Sequence, residues 1–194
     1  MPTLAHDTSA PQPAPDRFRV KKGVPEGRPG VWVLLAAWGP CGYAPVAPGT
    51  VGTLGAVPLF WFLRDLPLGL YLLTTAAFIA LACFAAAAAG RYWKVVDASP
   101  IVIDEVAGYL VTMALVPWSW GNAVVGFLLF RLFDVVKPWP ASFFDRQVKN
   151  GVGVVMDDVA AGVWALATLE LLRLALRVVA GCSTSHWWCL ELLR

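Results

Sequence analysis

The sequence predicts an all-α protein: a compact, membrane-integral helical bundle whose helical hairpins gather acidic loops on one face. Three observations lead there. Of the 194 residues, 58% are hydrophobic and only 14% charged, with a mean hydropathy of +0.64, too few charges to wet the surface of a soluble domain this long. Three long apolar stretches dominate the chain, and ten Trp and ten Phe supply aromatics of the kind that settle at membrane interfaces. Seven of the thirteen acidic residues fall between Asp97 and Asp158. The length suits one domain, 31–194, preceded by a tail over 1–30.

That tail holds Arg17, Arg19, Lys21, Lys22 and Arg28 among Pro11, Pro13, Pro15, Pro25 and Pro29, a composition that predicts disorder. Its basic residues suit anionic lipid at about 1 kcal/mol each, or only help to set topology. Polar sequence precedes the basic run and no small-residue cleavage pattern is clear, so it does not read as a signal peptide.

No charge occurs from Val31 to Leu63, but Gly39-Pro40, Gly42, Pro45, Pro48-Gly49 and Gly52 interrupt the run. So many breakers predict an entering segment over 31–38, an irregular loop over 39–52 and a short helix over 53–63. Arg64 to Pro67 reads as a turn. Leu68 to Gly90 is free of charge and long enough to span a bilayer, and Arg91, Tyr92, Trp93 and Lys94 close it at an interface.

Val106 to Phe130 also lacks charge, but Pro117-Trp118-Ser119-Trp120-Gly121-Asn122 sits in its middle and predicts a helical hairpin. Asp104 to Pro117 and Gly121 to Asp134 are both 13 residues, so each arm travels roughly 20 Å and Asp134 returns to the level of Asp104 and Glu105. One straight rod would hold them on the order of 45 Å apart. The last helix is expected from Val159 to about Ala180. Glu170, Arg173 and Arg177 form a polar stripe on its second half, which faces protein or leaves the bilayer. His186, Trp187 and Trp188 read as an interfacial anchor. Loops 39–52, 91–103 and 138–157 then share one face with Arg91, Lys94, Arg131, Lys137, Arg146 and Lys149, while the opposite turns carry only Arg64. The positive-inside rule makes the first face cytoplasmic.

The net charge of +2 gives no reason to expect a nucleic-acid partner. Cys41, Cys83, Cys182 and Cys189 form no metal-ligand or disulfide pattern, and Cys83 reads as a small hydrophobe.

The hairpin gathers Asp104, Glu105, Asp134, Asp145, Asp157 and Asp158. Taken singly, Asp145 or Asp157 reads as an ordinary carboxylate at a helix end. As a set embedded in apolar sequence they point to function. Two carboxylates about 4 Å apart repel by roughly 4 kcal/mol at an effective dielectric near 20. Such a group must protonate, pair with basic residues or bind a cation, and oxygen-only ligands favour a hard one such as magnesium. Candidate metal ligands are Glu105, Asp134, Asp145 and Asp158, and candidate catalytic groups are Asp104, Glu105, Asp134, Asp157 and Asp158. Arg131, Lys137 and Arg146 remain for an anionic substrate. Gly151 and Gly153 suit backbone approach to phosphate, and Thr50 or Thr53, in the loop 45–53, suits a hydroxyl donor or helix cap. Together these residues fit phosphoryl transfer.

At these residues the chain strongly resembles the phosphatidylglycerophosphatase A family. The matching stretches are APVAPGTVGTLGAVP (44–58), IVIDEVAGYLVTM (101–113) and FRLFDVVKPWPASFFDRQVKNGVGVVMDDVAAG (130–162), within a likeness over about 31–180. The resemblance implies magnesium-dependent hydrolysis of phosphatidylglycerophosphate to phosphatidylglycerol and phosphate at a bacterial inner membrane. It carries over to Asp104, Glu105, Arg131, Asp134, Lys137, Asp145, Arg146, Asp157 and Asp158, and less firmly to Asp97. Gly39 to Tyr43 departs from the glycine- and serine-rich stretch expected before Pro-Gly-Thr, and the basic tail is not part of the likeness.

Other phosphatase chemistries lack their residues here. No cysteine is followed by Arg six positions later, no Asp-x-Asp occurs, neither His6 nor His186 suits a catalytic histidine, and the Asp-Gly-x-x-Ala-Arg signature of alcohol phosphotransferases is absent. The expected mechanism is attack on phosphorus by a water activated at one or two magnesium ions, with direct attack by an aspartate as the alternative. The non-enzymatic alternatives are an ion transporter and a lipid-binding protein whose carboxylates form structural ion pairs.

Overall fold

The computed structural model describes Pro25 and residues 27–179, and every regular element among them is helical. Nearly all of the expected basic tail, the expected anchor at His186 to Trp188, and Cys182 and Cys189 lie outside the described residues. The helices are α1 (Val31–Ala36), α2 (Pro48–Leu63), α3 (Leu68–Trp93), α4 (Ile103–Thr112), α5 (Trp120–Val136), α6 (Ala141–Gln147) and α7 (Gly151–Val179), with a 3-10 turn over Cys41–Tyr43.

The fold-back between α4 and α5 is present. Ser119 caps α5 by accepting the Asn122 amide at 3.0 Å, and Asn122 Nδ2 donates to the Pro117 carbonyl at 2.9 Å. The Tyr109 hydroxyl donates to the Ala123 carbonyl at 3.1 Å and holds the arms together. Tyr71 ties α3 to α4 in the same way, through the Leu110 carbonyl at 2.7 Å. Each buried hydroxyl thereby meets a hydrogen-bond partner.

Two helices begin earlier than the sequence suggests. Helix α2 starts at Pro48, inside the expected loop 39–52. Proline suits a first helical position because an N–H there has no partner and its φ is already helical. Ala47, at φ 46°, turns the chain into it. Pro58 lies inside α2 without ending it.

The expected loop 138–157 holds α6 and the first two turns of α7. Asn150 Oδ1 accepts the amides of Val152 and Gly153 at 3.0 and 3.1 Å, starting α7 eight residues before Val159. A Cβ on Gly151 would lie 2.4 Å from the Ala87 nitrogen, and one on Gly153 1.7 Å from the Val148 carbonyl oxygen. Both glycines mark tight packing, not a loop.

Helix α7 packs against α3, α4, α5 and α6. It meets α4 through paired glycines: a Cβ on Gly162 would stand 2.4 Å from the Gly108 carbonyl oxygen. One core contains Phe60, Tyr71, Tyr109, Leu110, Phe130 and Leu169, and a second is rich in alanine, with Ala82, Ala85, Ala86 and Ala89 of α3. Farther along α7, Arg173 is buried against Glu170, so that half of the expected polar stripe faces protein, while Arg177 is exposed.

The exterior is apolar. On α5, Trp120, Val124, Leu128, Leu132 and Val135 form an exposed stripe, whereas Ala123, Gly126 and Phe130 face inward. Helices α3 and α7 are long and apolar enough to cross a membrane, and only 28% and 33% of their most apolar windows are buried. A soluble core helix of that composition would be mostly buried. At one end of the bundle the Arg64 guanidinium lies over the rings of Trp61 and Trp118, 4.2 and 5.3 Å from their centroids.

Candidate active site

The loops expected to share a face converge on a cavity of about 660 Å³. Its walls come from Ala47–Gly49 at the start of α2, from Val95 to Ile101, from the first turn of α4, from the end of α5, and from α6 and early α7. Asp104, Glu105, Arg131, Asp134, Lys137, Asp145, Asp157 and Asp158 all line it. Arg131 Nη1 lies 3.8 Å from Glu105 Oε1, an approach that only the fold-back permits.

Within the cavity, Asp104, Glu105 and Asp158 offer carboxylate oxygens all within 4.8 Å of one another. Asp104 Oδ1 and Glu105 Oε2 are buried with no hydrogen-bond partner, an arrangement that is costly unless a proton or cation is shared. Burial, then the Asp158 charge, pushes the Glu105 carboxyl up to about 8. Asp104 is also raised, by burial first and by Glu105 next. All-oxygen, mutually repelling donors fit a hard cation.

Of the expected metal ligands, Glu105 and Asp158 lie together with Asp104, while Asp134 and Asp145 sit in ion pairs. Asp134 Oδ2 is 2.8 Å from Arg131 Nη1, and Asp145 Oδ1 accepts from Lys137 Nζ at 3.0 Å. Lys137 also donates to Asp157 Oδ2, and Asp157 Oδ1 takes the Asp158 amide at 3.0 Å. Burial works against the Lys137 ammonium, but Asp157, Asp158 and Asp145 outweigh it and raise its pKa.

The remaining expected residues divide. Gly49 and Gly153 line the cavity; Thr50, Gly151 and Arg146 are not among its lining residues. Arg146 is exposed on α6. Thr50 does not cap α2, because the cap is Ala47, and the Thr53 hydroxyl donates to its own helix at the Gly49 carbonyl, 3.0 Å away. The Gly153 amide is already given to Asn150.

Sequence reasoning missed how Gly49 acts. A Cβ there would fall 2.1 Å from Glu105 Oε1 and 3.3 Å from Arg131 Nη1, so the start of α2 closes directly over the carboxylates. The Pro-Gly-Thr motif marked the position but not its neighbour. Lys149, expected only as a topogenic charge, lines the cavity as well.

Known proteins resemble the chain along most of its length. A phosphatidylglycerophosphatase A of Escherichia coli (strain K12) is 38% identical over 135 residues, covering 68% of this chain and 77% of the relative. The phosphatidylglycerophosphatase A of Haemophilus influenzae is 37% identical over 136 residues, covering 69% and 83%. A Bacteroides thetaiotaomicron protein named as a candidate phosphatidylinositol-3-phosphatase is 37% identical over 151 residues, covering 73% and 92%. No solved structure gives a significant match. Residues 34–173, which include every wall of the cavity, match the family described as Phosphatidylglycerophosphatase A, and the chain belongs to that family.

Proposed function

We propose that the protein is a magnesium-dependent phosphatase of a bacterial inner membrane, hydrolysing phosphatidylglycerophosphate to phosphatidylglycerol and phosphate in a cavity facing the cytoplasm. The observation that carries this reading is the pair of buried, unpartnered oxygens on Asp104 and Glu105, beside Asp158 and within reach of Arg131 and Lys137. Three carboxylates with unused lone pairs fit a divalent cation, and the neighbouring cations fit a phosphate dianion.

Asp104, Glu105 and Asp158 would hold the metal, which when bound neutralises phosphate oxygens and favours ionisation of a water nucleophile. The protein's own contribution is orientation and fixed charge. Arg131 is held by Asp134 at 2.8 Å as an ion pair without hydrogen-bond alignment, which leaves its protons for phosphate oxygens. The first turn of α2, at Pro48 and Gly49, brings the positive end of a helix to the same cavity. Thr50 would contribute there through its backbone amide. Arg146 adds charge from outside the wall. The apolar outer faces of α3, α5 and α7 support insertion, so that the acyl chains stay in the bilayer while the headgroup enters. The acids cluster at the ends of α4 and α5 and early in α7, an arrangement suited to a headgroup site rather than a path for ions across the bundle.

The named relatives differ in headgroup, but each name describes a phosphomonoester on a glycerolipid. One assay tests the reading: phosphate release by purified protein from phosphatidylglycerophosphate and from phosphatidylinositol 3-phosphate, with and without magnesium. Expected is metal-dependent release with the first lipid preferred. Preference for the second would move the headgroup assignment, and no release from either would refute the enzyme. Asp158→Asn should lose at least about 100-fold, since even residues that merely support metal ligands account for 10–100-fold.

A further inference from the structure

The cavity contains two acidic groups, and the chain treats them differently. In the first, Asp104 Oδ1 and Glu105 Oε2 meet no donor, and the ion pair found there among the described residues is the looser approach of Arg131 Nη1 to Glu105 Oε1 at 3.8 Å. In the second, Asp145 on α6 and Asp157 on α7 are bridged by Lys137 Nζ, 3.0 Å from Asp145 Oδ1 and in direct contact with Asp157 Oδ2. The remaining Asp157 oxygen is taken by the Asp158 amide. A metal entering the first group finds open ligands; one entering the second must displace an ammonium.

The backbone is shaped to put Lys137 there. It closes α5 in the left-handed region, at φ 48° and ψ 61°, with its amide still bonded to the Phe133 carbonyl at 2.7 Å. That conformation is disfavoured for any residue with a Cβ. Glycine would adopt it freely, yet the position carries a lysine whose side chain spans to two other helices.

We propose that Lys137 fills the place of a second metal ion, so that the site works with one divalent cation and one built-in ammonium. The inference rests on the metal reading given under Proposed function. The ammonium balances Asp145 and Asp157, fixes α6 against α7, and holds a permanent positive charge beside Asp158. Lys137 is then a positioning residue for the second acidic pair.

Metal counting tests this without reference to turnover. Full-length protein in detergent micelles is titrated with Mn²⁺ and the bound ion counted by electron paramagnetic resonance. Expected are one tightly bound ion in the wild type and in Lys137→Arg, and two in Lys137→Ser with dipolar broadening between them. Lys137→Ser combined with Asp157→Asn should return to one. Two ions in the wild type, or one in a Lys137→Ser protein with a wild-type circular-dichroism melt, would overturn the proposal. If the serine variant does not fold, the wild-type and arginine counts decide, two ions in either being fatal. No bound ion in wild type removes the metal reading beneath it, a failure visible separately as metal-independent or absent phosphate release.

Discussion

Gly49 shows how closely single residues control this site. With a Cβ placed 2.1 Å from Glu105 Oε1, either the carboxylate or the start of α2 must shift. Misplacement by about 1 Å costs on the order of 100-fold in rate. Gly49→Ala should therefore lose phosphate release by about that factor while the far-ultraviolet circular dichroism stays helical; a variant with wild-type turnover would contradict the contact. The carboxylates themselves were legible because acids crowded into apolar sequence have few other uses. Which acid met which cation was not. Lys137 takes Asp145 and Asp157 because the left-handed end of α5 redirects the chain, and spacing along the sequence does not encode that turn. Asp104, outside the expected metal set, lies beside Glu105 and Asp158, whereas Asp145, inside that set, is paired with Lys137.

Among the elements, the α4–α5 fold-back was legible from Pro117 to Asn122 because proline, a cap residue and glycine coincide there. Removing the cap with Ser119→Ala should cost about 1 kcal/mol, read from denaturant unfolding in micelles. An unchanged midpoint would mean that tertiary packing alone holds the turn. The start of α7 was misread, because glycine marks both loops and close packing. Gly151 and Gly153 belong to the second kind, and only the approach of Ala87 and Val148 reveals it. The Gly108–Gly162 contact between α4 and α7 belongs to it too. Gly162→Ala would press on the Gly108 carbonyl from 2.4 Å, and overpacking of this kind costs roughly 1–3 kcal/mol. Because Asp158 and Asp104 lie on these two helices, Mn²⁺ affinity should fall together with stability; a loss of stability alone would uncouple the packing from the site.

For the molecule as a whole, composition alone pointed to a bilayer, and the surface of α5, with Trp120, leucines and valines outward and Ala123, Gly126 and Phe130 inward, agrees with it. The protein should stay with the membrane fraction through alkaline carbonate washing and leave only with detergent; release by the wash would place it at the surface. The central claim is that two helices distant in sequence, α4 and α7, present Asp104, Glu105 and Asp158 to a metal ion that touches the substrate phosphate. Electron–nuclear double resonance on Mn²⁺-loaded protein with bound phosphatidylglycerophosphate reads that contact through coupling to phosphorus. Coupling in the wild type that disappears in Asp158→Asn is the predicted result. Tightly bound Mn²⁺ with no phosphorus coupling, or coupling undiminished in Asp158→Asn, would contradict it.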